Sequence, residues 1–236
     1  MIAFQQHRLR APRFCARAML LLSTLLAAAA HAQTLYQVEL IVFARDGADE
    51  HWHSDYQLSY PEHLTALQDG TGEGAALPFQ RLAANALQLK REAAAISQRR
   101  NMRVLFHGAW QQPFDDQARA TSVLITGGQN VGNHRELEGF VTLSSERYLH
   151  IDTQLWMSRF AANNGMAVDN ALTLPPLPFS PDNAQDTHGA AVSQIYVLRD
   201  QQRLRSGELR YQDHPRLGTL VLITPVTPAP AQAPQP

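Results

Sequence analysis

Arginine, aromatic, histidine and carboxylate side chains are concentrated in two strand-like stretches of the sequence. These stretches are Glu146–Trp156, ERYLHIDTQLW, and Arg203–Ile223, RLRSGELRYQDHPRLGTLVLI. A guanidinium group grips carboxylates through two parallel hydrogen bonds, and an aromatic ring offers a flat apolar face with a polar edge. This density is expected of an active site or of a recognition surface, so the other motifs of the chain must decide between the two.

Acid–base catalysis in the second stretch would depend on Glu208, Asp213 and His214. Neighbouring residues of a strand point to opposite faces, and Pro215 stiffens the backbone after His214. We therefore interpret Asp-His-Pro as a turn that leads into the last strand. Carboxylates for glycoside cleavage are present as well, but any chain of this size offers several such pairs.

Two enzyme classes are excluded by the lack of a nucleophile or its partner. A serine acyl-transferase of the penicillin-binding kind needs S-x-x-K, yet Lys90 is the single lysine and Leu87 lies three residues before it. A cysteine transpeptidase is excluded because the single cysteine, Cys15, lies in a segment that we expect to be cleaved. We predict a protein that is not an enzyme and needs no cofactor.

A metal site is the remaining catalytic alternative. His51 and His53 share one face of an extended segment, a spacing that suits a common metal ion. However, no H-x-x-x-D pair precedes them in the mature chain, and the sequence contains no H-E-x-x-H. We predict no metal site and keep a metal-dependent cell-wall hydrolase, which would use these histidines and a carboxylate, as the alternative.

Recognition of a ligand needs less specialised chemistry, and eight arginine, aromatic and histidine residues are our candidates for it. They are Arg147, Tyr148, His150, Trp156, Arg203, Arg205, Arg210 and Tyr211. Such side chains would suit a polymer of amino sugars that bears acidic peptides. The structural alternative is that the aromatic residues belong partly to the core, with the arginines as solvated strand edges.

The N-terminal segment predicts export. Four arginines precede an apolar run at Ala18–Ala30, and Ala30–Ala32 forms an A-x-A cleavage site, so we expect a signal peptide at residues 1–32. No later apolar run of about 20 residues predicts a transmembrane segment in the mature chain. The mature chain would have 204 residues and a net charge of about −5, so we predict that it does not bind nucleic acid.

The hydrophobic patterns predict an α+β domain at residues 33–225, built mainly from antiparallel sheet, with long loops and a disordered proline-rich tail at 226–236. The topology we expect is a ferredoxin-like βαβ core extended by a meander. A helix is predicted between Leu82 and Ile96, ending near Arg99 and Arg100. The predicted strands are Leu35–Ala44, Met102–Trp110, Ser122–Thr126, Leu137–Leu143, Tyr148–Phe160, Gln194–Leu204 and Gly218–Thr224, and the predicted loops are Asp46–Phe79 and Asn163–Ala191.

The strand at Tyr148–Phe160 has the clearest period of two. Leu149, Ile151, Thr153, Leu155 and Met157 fall on one face, and His150, Asp152, Gln154 and Trp156 fall on the other. This alternation predicts a sheet with one face in the core and a polar, aromatic outer face.

Four blocks of the sequence resemble the CsiV family of periplasmic peptidoglycan-binding proteins of Gram-negative bacteria. They are YQVELIVFAR, RVLFHGAWQQP, LEGFVTLSSERYLHIDTQLW and RSGELRYQDHPRLGTLVLITP, and they follow the family's order across Tyr36–Pro225. The resemblance implies a periplasmic, non-enzymatic accessory that binds peptidoglycan. It also implies a role in peptidoglycan assembly by a class A penicillin-binding protein, through that enzyme's outer-membrane lipoprotein activator.

The family supplies no ligand-contact residues for this chain, so the eight candidates rest on their chemistry alone. A third possibility retains the fold and the location but not the glycan. In that case the protein would be an envelope scaffold that binds only other proteins.

Overall fold

Two β-sheets packed face to face and one helix make up the described part of the protein. The computed structural model describes residues 34–47, 57–70, 77–162, 172–179 and 190–227. Its strands are β1 (Leu35–Arg45), β2 (Leu64–Ala66), β3 (Gln68–Asp69), β4 (Gln80–Arg81), β5 (Met102–Pro113), β6 (Ser122–Leu124), β7 (Gly127–Val131), β8 (His134–Ser145), β9 (Leu149–Ala162), β10 (Ala190–Leu204), β11 (Arg210–Asp213) and β12 (Leu217–Pro225). Helix α1 (Lys90–Ser97) follows a 3-10 turn at Ala84–Ala86.

The first sheet has the strand order β11-β12-β1-β5-β4-β3, and the second has the order β10-β9-β8-β6-β2, with β7 also paired to β8. Neighbouring strands are antiparallel except in the short pairs β3–β4 and β2–β6, which are parallel. The predicted α+β class, its mainly antiparallel sheet and its long loops are therefore confirmed.

One hydrophobic core lies between the two sheets, because alternate residues of each sheet point into it. Val38 and Leu40 of β1 pack in the same cluster as Ile151 and Leu155 of β9. The period of two predicted for β9 is confirmed, since the residues of its other face lie outside this cluster. The core therefore leaves an outer face of the second sheet free to form a site.

A buried glutamine links the two sheets through hydrogen bonds. Gln212 of β11 accepts a bond of 2.9 Å from the Thr153 hydroxyl of β9 and one of 2.8 Å from the Thr219 hydroxyl of β12. Thr153 thus occupies a core-facing position because its hydroxyl group has a partner there.

Helix α1 covers the outer face of the first sheet, where Ile96 and Ala93 pack against Ile41 and Phe43 of β1. The prediction of a helix from Leu82 was wrong for its first half, because α1 begins only at Lys90. The carboxylate of Glu39, which is 1% exposed, explains this start. It accepts the backbone N–H groups of Gln88 at 2.6 Å and Leu89 at 2.9 Å, just before the helix.

The basic residues predicted at the end of this helix lie just outside it. The C-cap residue is Gln98, and the last turn of α1 contains no basic residue. Arg99 and Arg100 follow the cap as exposed residues.

The predicted ferredoxin-like βαβ core is corrected, because β1 and β5, the two strands predicted to flank the helix, are antiparallel neighbours. Val38 of β1 pairs with Trp110 of β5, whereas a βαβ unit joins parallel strands. The antiparallel pairing follows from the long connection between β1 and the helix. This connection brings the chain back to the beginning of β1, where the Gln37 side chain donates to the Ala86 carbonyl. Helix α1 then runs alongside β1 in the same direction, and β5 runs in the opposite direction next to β1.

Most predicted strands are present, and several are longer than predicted. The two missed strands of four or five residues are β7 and β11, and the predicted loop at Asp46–Phe79 contains β2 and β3 in its described part. Among the residues described, no helix has the length and apolar character needed to cross a bilayer. The predicted signal peptide, the proline-rich tail after Thr227 and much of the loop at Asn163–Ala191 lie outside the described residues.

Candidate functional site

A cleft of about 410 Å³ opens on the outer face of the second sheet. Strands β8, β9 and β10 form its floor, and two connecting segments form its walls. The lining residues are Pro61, Glu62, His63, Gln117, Ala118, Ala120, Ser122, Phe140, Thr142, Ser144, His150, Asp152, Gln154 and Gln201. Most of the lining residues therefore carry a hydroxyl, amide, imidazole or carboxylate group.

Strand register explains why the floor residues meet. Asp152 of β9 lies between Thr142 of β8 and Gln201 of β10, and Ser144 lies opposite His150. Residues that pair across antiparallel strands project to the same face, about 5 Å apart. Three strands thereby place polar side chains side by side on one surface.

One wall of the cleft is held in place by a buried aromatic contact. Residues 61–63 follow Tyr60, whose ring lies 5.1 Å from the ring of Trp156 between centroids. Leu58 and Leu174 belong to the same hydrophobic cluster. On the other side of the wall, the His63 carbonyl accepts the backbone N–H of Ser122 at 2.8 Å.

The predicted surface position of Trp156 is therefore corrected. We expected it on the recognition surface, but it is only 1% exposed, since the residues around Tyr60 and Leu174 cover this part of the sheet. Its indole group contacts Tyr60, which precedes the wall residues, and does not line the cleft.

The charge inside the cleft is acidic. Its lining includes the carboxyl groups of Glu62 and Asp152 and no arginine or lysine. Burial raises the pKa of Asp152. The positive charge of Arg199 opposes this shift, and the negative charge of Asp200 adds to it. Arg199 also donates a hydrogen bond of 3.2 Å to the side chain of Gln154, which fixes that amide at the floor.

An Asp152→Asn variant is expected to be more stable than the parent protein at neutral pH. The carboxyl pKa is raised in the folded state, so the charged form opposes folding above that pKa, and this cost disappears as the pH falls below the unfolded value of about 3.9. Urea unfolding at pH 7 and pH 3 should show a gain that is present only at the higher pH. An equal gain at both pH values would contradict this origin.

A second group of candidate residues lies next to the cleft, and we call it the arginine–tyrosine cluster: Arg147, Tyr148 and Arg203. The guanidinium of Arg203 lies 4.3 Å from the Tyr148 ring centroid, and that of Arg147 lies 5.5 Å from it. Arg203 also pairs in register with His150, which lines the cleft. Four of the eight predicted residues thus occupy one end of the same surface.

The cluster is available to a ligand. Tyr148 is 43% exposed, and both arginines are exposed. Within the described residues, neither Arg147 nor Arg203 forms an ion pair with a carboxylate. Two unpaired guanidinium groups beside an exposed aromatic ring can bind a carboxylate and an apolar surface together.

The other predicted residues lie elsewhere. Tyr211 stacks over Phe43 on the helix-covered side of the first sheet, with ring centroids 6.5 Å apart, and its hydroxyl donates to Asp213. Arg210 forms an ion pair of 3.0 Å with Glu208, and Arg205 is exposed just after β10. The eight candidates therefore do not form one continuous surface.

Asp213 is the last residue of β11, and His214 lies in the turn between β11 and β12, where the sequence predicted an Asp-His-Pro turn. The His214 N–H donates to the Leu217 carbonyl at 3.0 Å, and its ring nitrogen accepts the backbone N–H of Arg216. Asp213 pairs with Arg45 at 2.6 Å. Burial is the main cause that lowers the pKa of His214. These contacts are those of a structural turn.

The two histidines considered as metal ligands, His51 and His53, lie outside the described residues. Within the described ranges, no group of three or more histidine, aspartate or glutamate side chains is arranged to hold a metal ion.

Part of the cleft was predictable from the sequence. Its alternation placed His150, Asp152 and Gln154 on the outer face of β9, but these residues were not grouped with those of β8 and the walls. Glu62 and His63 come from a long loop, and no periodic pattern connects them to a strand about 90 residues later.

Comparison with known proteins gives one match. A family model described as "Peptidoglycan-binding protein, CsiV" matches residues 15–226. No curated protein and no solved structure matches the chain.

Proposed function

Since the chain belongs to the CsiV family of peptidoglycan-binding proteins, we propose that it binds peptidoglycan through the outer face of its second sheet. The family match across residues 15–226 is the observation that supports the ligand. The cleft and the arginine–tyrosine cluster support the position, because they are exposed, adjacent and chemically suited to a polymer of sugars and acidic peptides.

The first test is co-sedimentation of the protein with purified sacculi. The protein should pellet with the sacculi above the level of a non-binding control protein. An absence of retention would refute the proposed ligand, whatever the residues involved.

The double variant Arg147→Ala/Arg203→Ala should reduce retention on sacculi by about tenfold, because exposed guanidinium groups bind carboxylates through charge-assisted hydrogen bonds. Its melting temperature should stay near that of the parent, since both side chains are exposed and form no ion pair with the described carboxylates. Retention across a protein concentration series and thermal unfolding check the two expectations.

The matched control is Arg99→Ala/Arg100→Ala, which removes the same charge from exposed positions after α1. It should leave retention unchanged. An equal loss in both double variants would show that net charge, and not the cluster, determines binding.

The location and the partners extend this proposal. A peptidoglycan-binding family indicates the cell envelope, and we propose export through the signal peptide at residues 1–32 to the periplasm. There the protein would act without catalysis, promoting wall assembly by a class A penicillin-binding protein through its lipoprotein activator. A pull-down of that synthase–activator pair by the exported protein, together with a measured rise in glycan-chain synthesis, tests this role.

A muropeptide-release assay tests the proposal that the protein is not an enzyme. Sacculi incubated with the protein should release no soluble muropeptides, with or without added zinc. Release that depends on zinc and on His51 and His53 would instead favour the hydrolase.

A further inference from the structure

We infer that the protein divides peptidoglycan between two adjacent subsites: the cleft takes the amino-sugar backbone, and the arginine–tyrosine cluster takes a carboxylate of the peptide stem. This inference rests on the proposed function and specifies which part of the polymer each group of residues contacts. It follows from the opposite charge character of two regions that share one face of the second sheet.

The size of the cleft suits one or two sugar rings. Its volume of about 410 Å³ lies within the usual range of small-ligand sites. The cleft is open to solvent, so a longer chain can continue beyond it. A folded protein partner could not enter a cleft of these dimensions.

The polar groups of the floor match the chemistry of sugars. Ser144, Thr142, Gln154 and Gln201 present hydroxyl and amide groups, which both donate and accept hydrogen bonds. Sugar hydroxyl and acetamido groups do the same, so each can find a partner on such a floor. Phe140 adds an apolar element between these polar groups, of the kind against which the face of a sugar ring packs.

The charge of the cleft disfavours the peptide stem. Glu62 and Asp152 line it, and its lining contains no arginine or lysine, so a stem carboxylate placed there would meet like charge and no guanidinium group among the lining residues. The two carboxylates can instead accept hydrogen bonds from sugar hydroxyl groups or from the N–H of an acetamido group.

The cluster has the opposite preference. The guanidinium groups of Arg147 and Arg203 lie 5.5 Å and 4.3 Å from the Tyr148 ring centroid, and neither is neutralised by a described carboxylate. Since Arg203 lies opposite His150 in the register of β9 and β10, a stem carried by a sugar in the cleft can reach the cluster directly.

The experiment compares three probes: intact sacculi, glycan strands from which an amidase has removed the peptides, and free stem peptides. The parent protein should bind sacculi and peptide-free strands, with weaker binding of the free peptides. Ala118→Trp should lower affinity for the peptide-free strands by about tenfold or more, because Ala118 is an exposed wall residue and an indole there fills the cleft.

Ala84→Trp is the matched control, since Ala84 is also exposed but lies in the 3-10 turn before α1. It should bind all three probes like the parent. If Ala118→Trp fails to fold, Gln201→Trp blocks the cleft from β10 instead, at another exposed lining position.

The outcomes separate the two proposals. Binding of sacculi and free peptides without binding of peptide-free strands would overturn the inference and leave peptidoglycan binding intact. Binding of peptide-free strands that neither blocking variant reduces would also overturn it. If the parent protein fails to bind sacculi at all, the proposed function itself is refuted.

Discussion

A Trp156→Ala variant is expected to lose about 3–5 kcal/mol of unfolding free energy, the usual cost of removing a large aromatic side chain from a packed site. Trp156 is 1% exposed and packs with Leu174, Val192 and Val197 beneath the ring of Tyr60. The residues around this indole come from three separate parts of the chain, so they cannot easily close the cavity. Urea unfolding followed by far-ultraviolet circular dichroism measures the loss without depending on the removed fluorophore.

The same substitution should impair ligand binding indirectly. Residues 61–63 form a wall of the cleft, and they follow Tyr60 directly. Without the contact between Tyr60 and Trp156, this wall loses its anchor on the sheet. Retention on sacculi should therefore fall at temperatures where the variant is still folded.

Two further variants test the assignment of Trp156 to the core. Trp156→Phe should keep most of the stability, because the indole nitrogen has no hydrogen-bond partner among the described residues and only volume is lost. Tyr148→Ala, taken from the same sequence stretch, should cost at most about 0.5 kcal/mol because this residue is 43% exposed. Equal losses in Trp156→Ala and Tyr148→Ala would contradict the buried position.

The contrast between these two aromatic residues shows what local sequence can predict. The alternation of β9 correctly placed His150, Asp152 and Trp156 on one face, because side chains of a strand alternate by geometry. Whether an outer side chain meets solvent depends on the segments that cover the sheet. Those segments come from residues 57–60 and 172–174, and their sequence contains no periodic signal that would assign them to this face.

The prediction that the arginines share one surface failed for the same reason, because it depends on long-range contacts. Arg203 and Arg210 are close in sequence, but Arg203 belongs to β10 in the second sheet and Arg210 to β11 in the first. Only the register of β9 with β10 brings Arg203 next to His150 and Tyr148. Strand patterns predict which residues share a face of one strand, but not which strands become neighbours.

The largest error concerned the helix, and its cause is also a long-range contact. The sequence from Leu82 contains no glycine or proline and favours a helix throughout. The backbone amides of Gln88 and Leu89 instead bind the carboxylate of Glu39, about 50 residues earlier. A tertiary hydrogen bond thus determines where α1 begins, and intrinsic helix propensity does not.

Replacing Glu39 with alanine is accordingly expected to cost about 3–5 kcal/mol of unfolding free energy, as for other buried charged networks that lose one member. Its carboxylate is 1% exposed and bonds to the His107 ring at 2.8 Å as well as to the two backbone amides. Removal leaves these donors without their acceptor in a site that water reaches poorly. Urea unfolding gives the global loss, and hydrogen exchange at Gln88 and Leu89 should accelerate more than exchange in β9.

The control for this prediction is Glu208→Ala, which removes a carboxylate of the same type from an exposed ion pair with Arg210. Exposed pairs contribute at most about 1 kcal/mol, so this variant should unfold nearly like the parent. Glu39→Gln should fall between the two. The glutamine amide keeps one oxygen as an acceptor, but its NH2 group replaces the other oxygen and would face a hydrogen-bond donor. If Glu39→Ala and Glu208→Ala cost the same, or if exchange at Leu89 does not change, the carboxylate does not fix the start of α1. The helix would then have to be positioned by the packing of Ile96 against Ile41 and Phe43 alone.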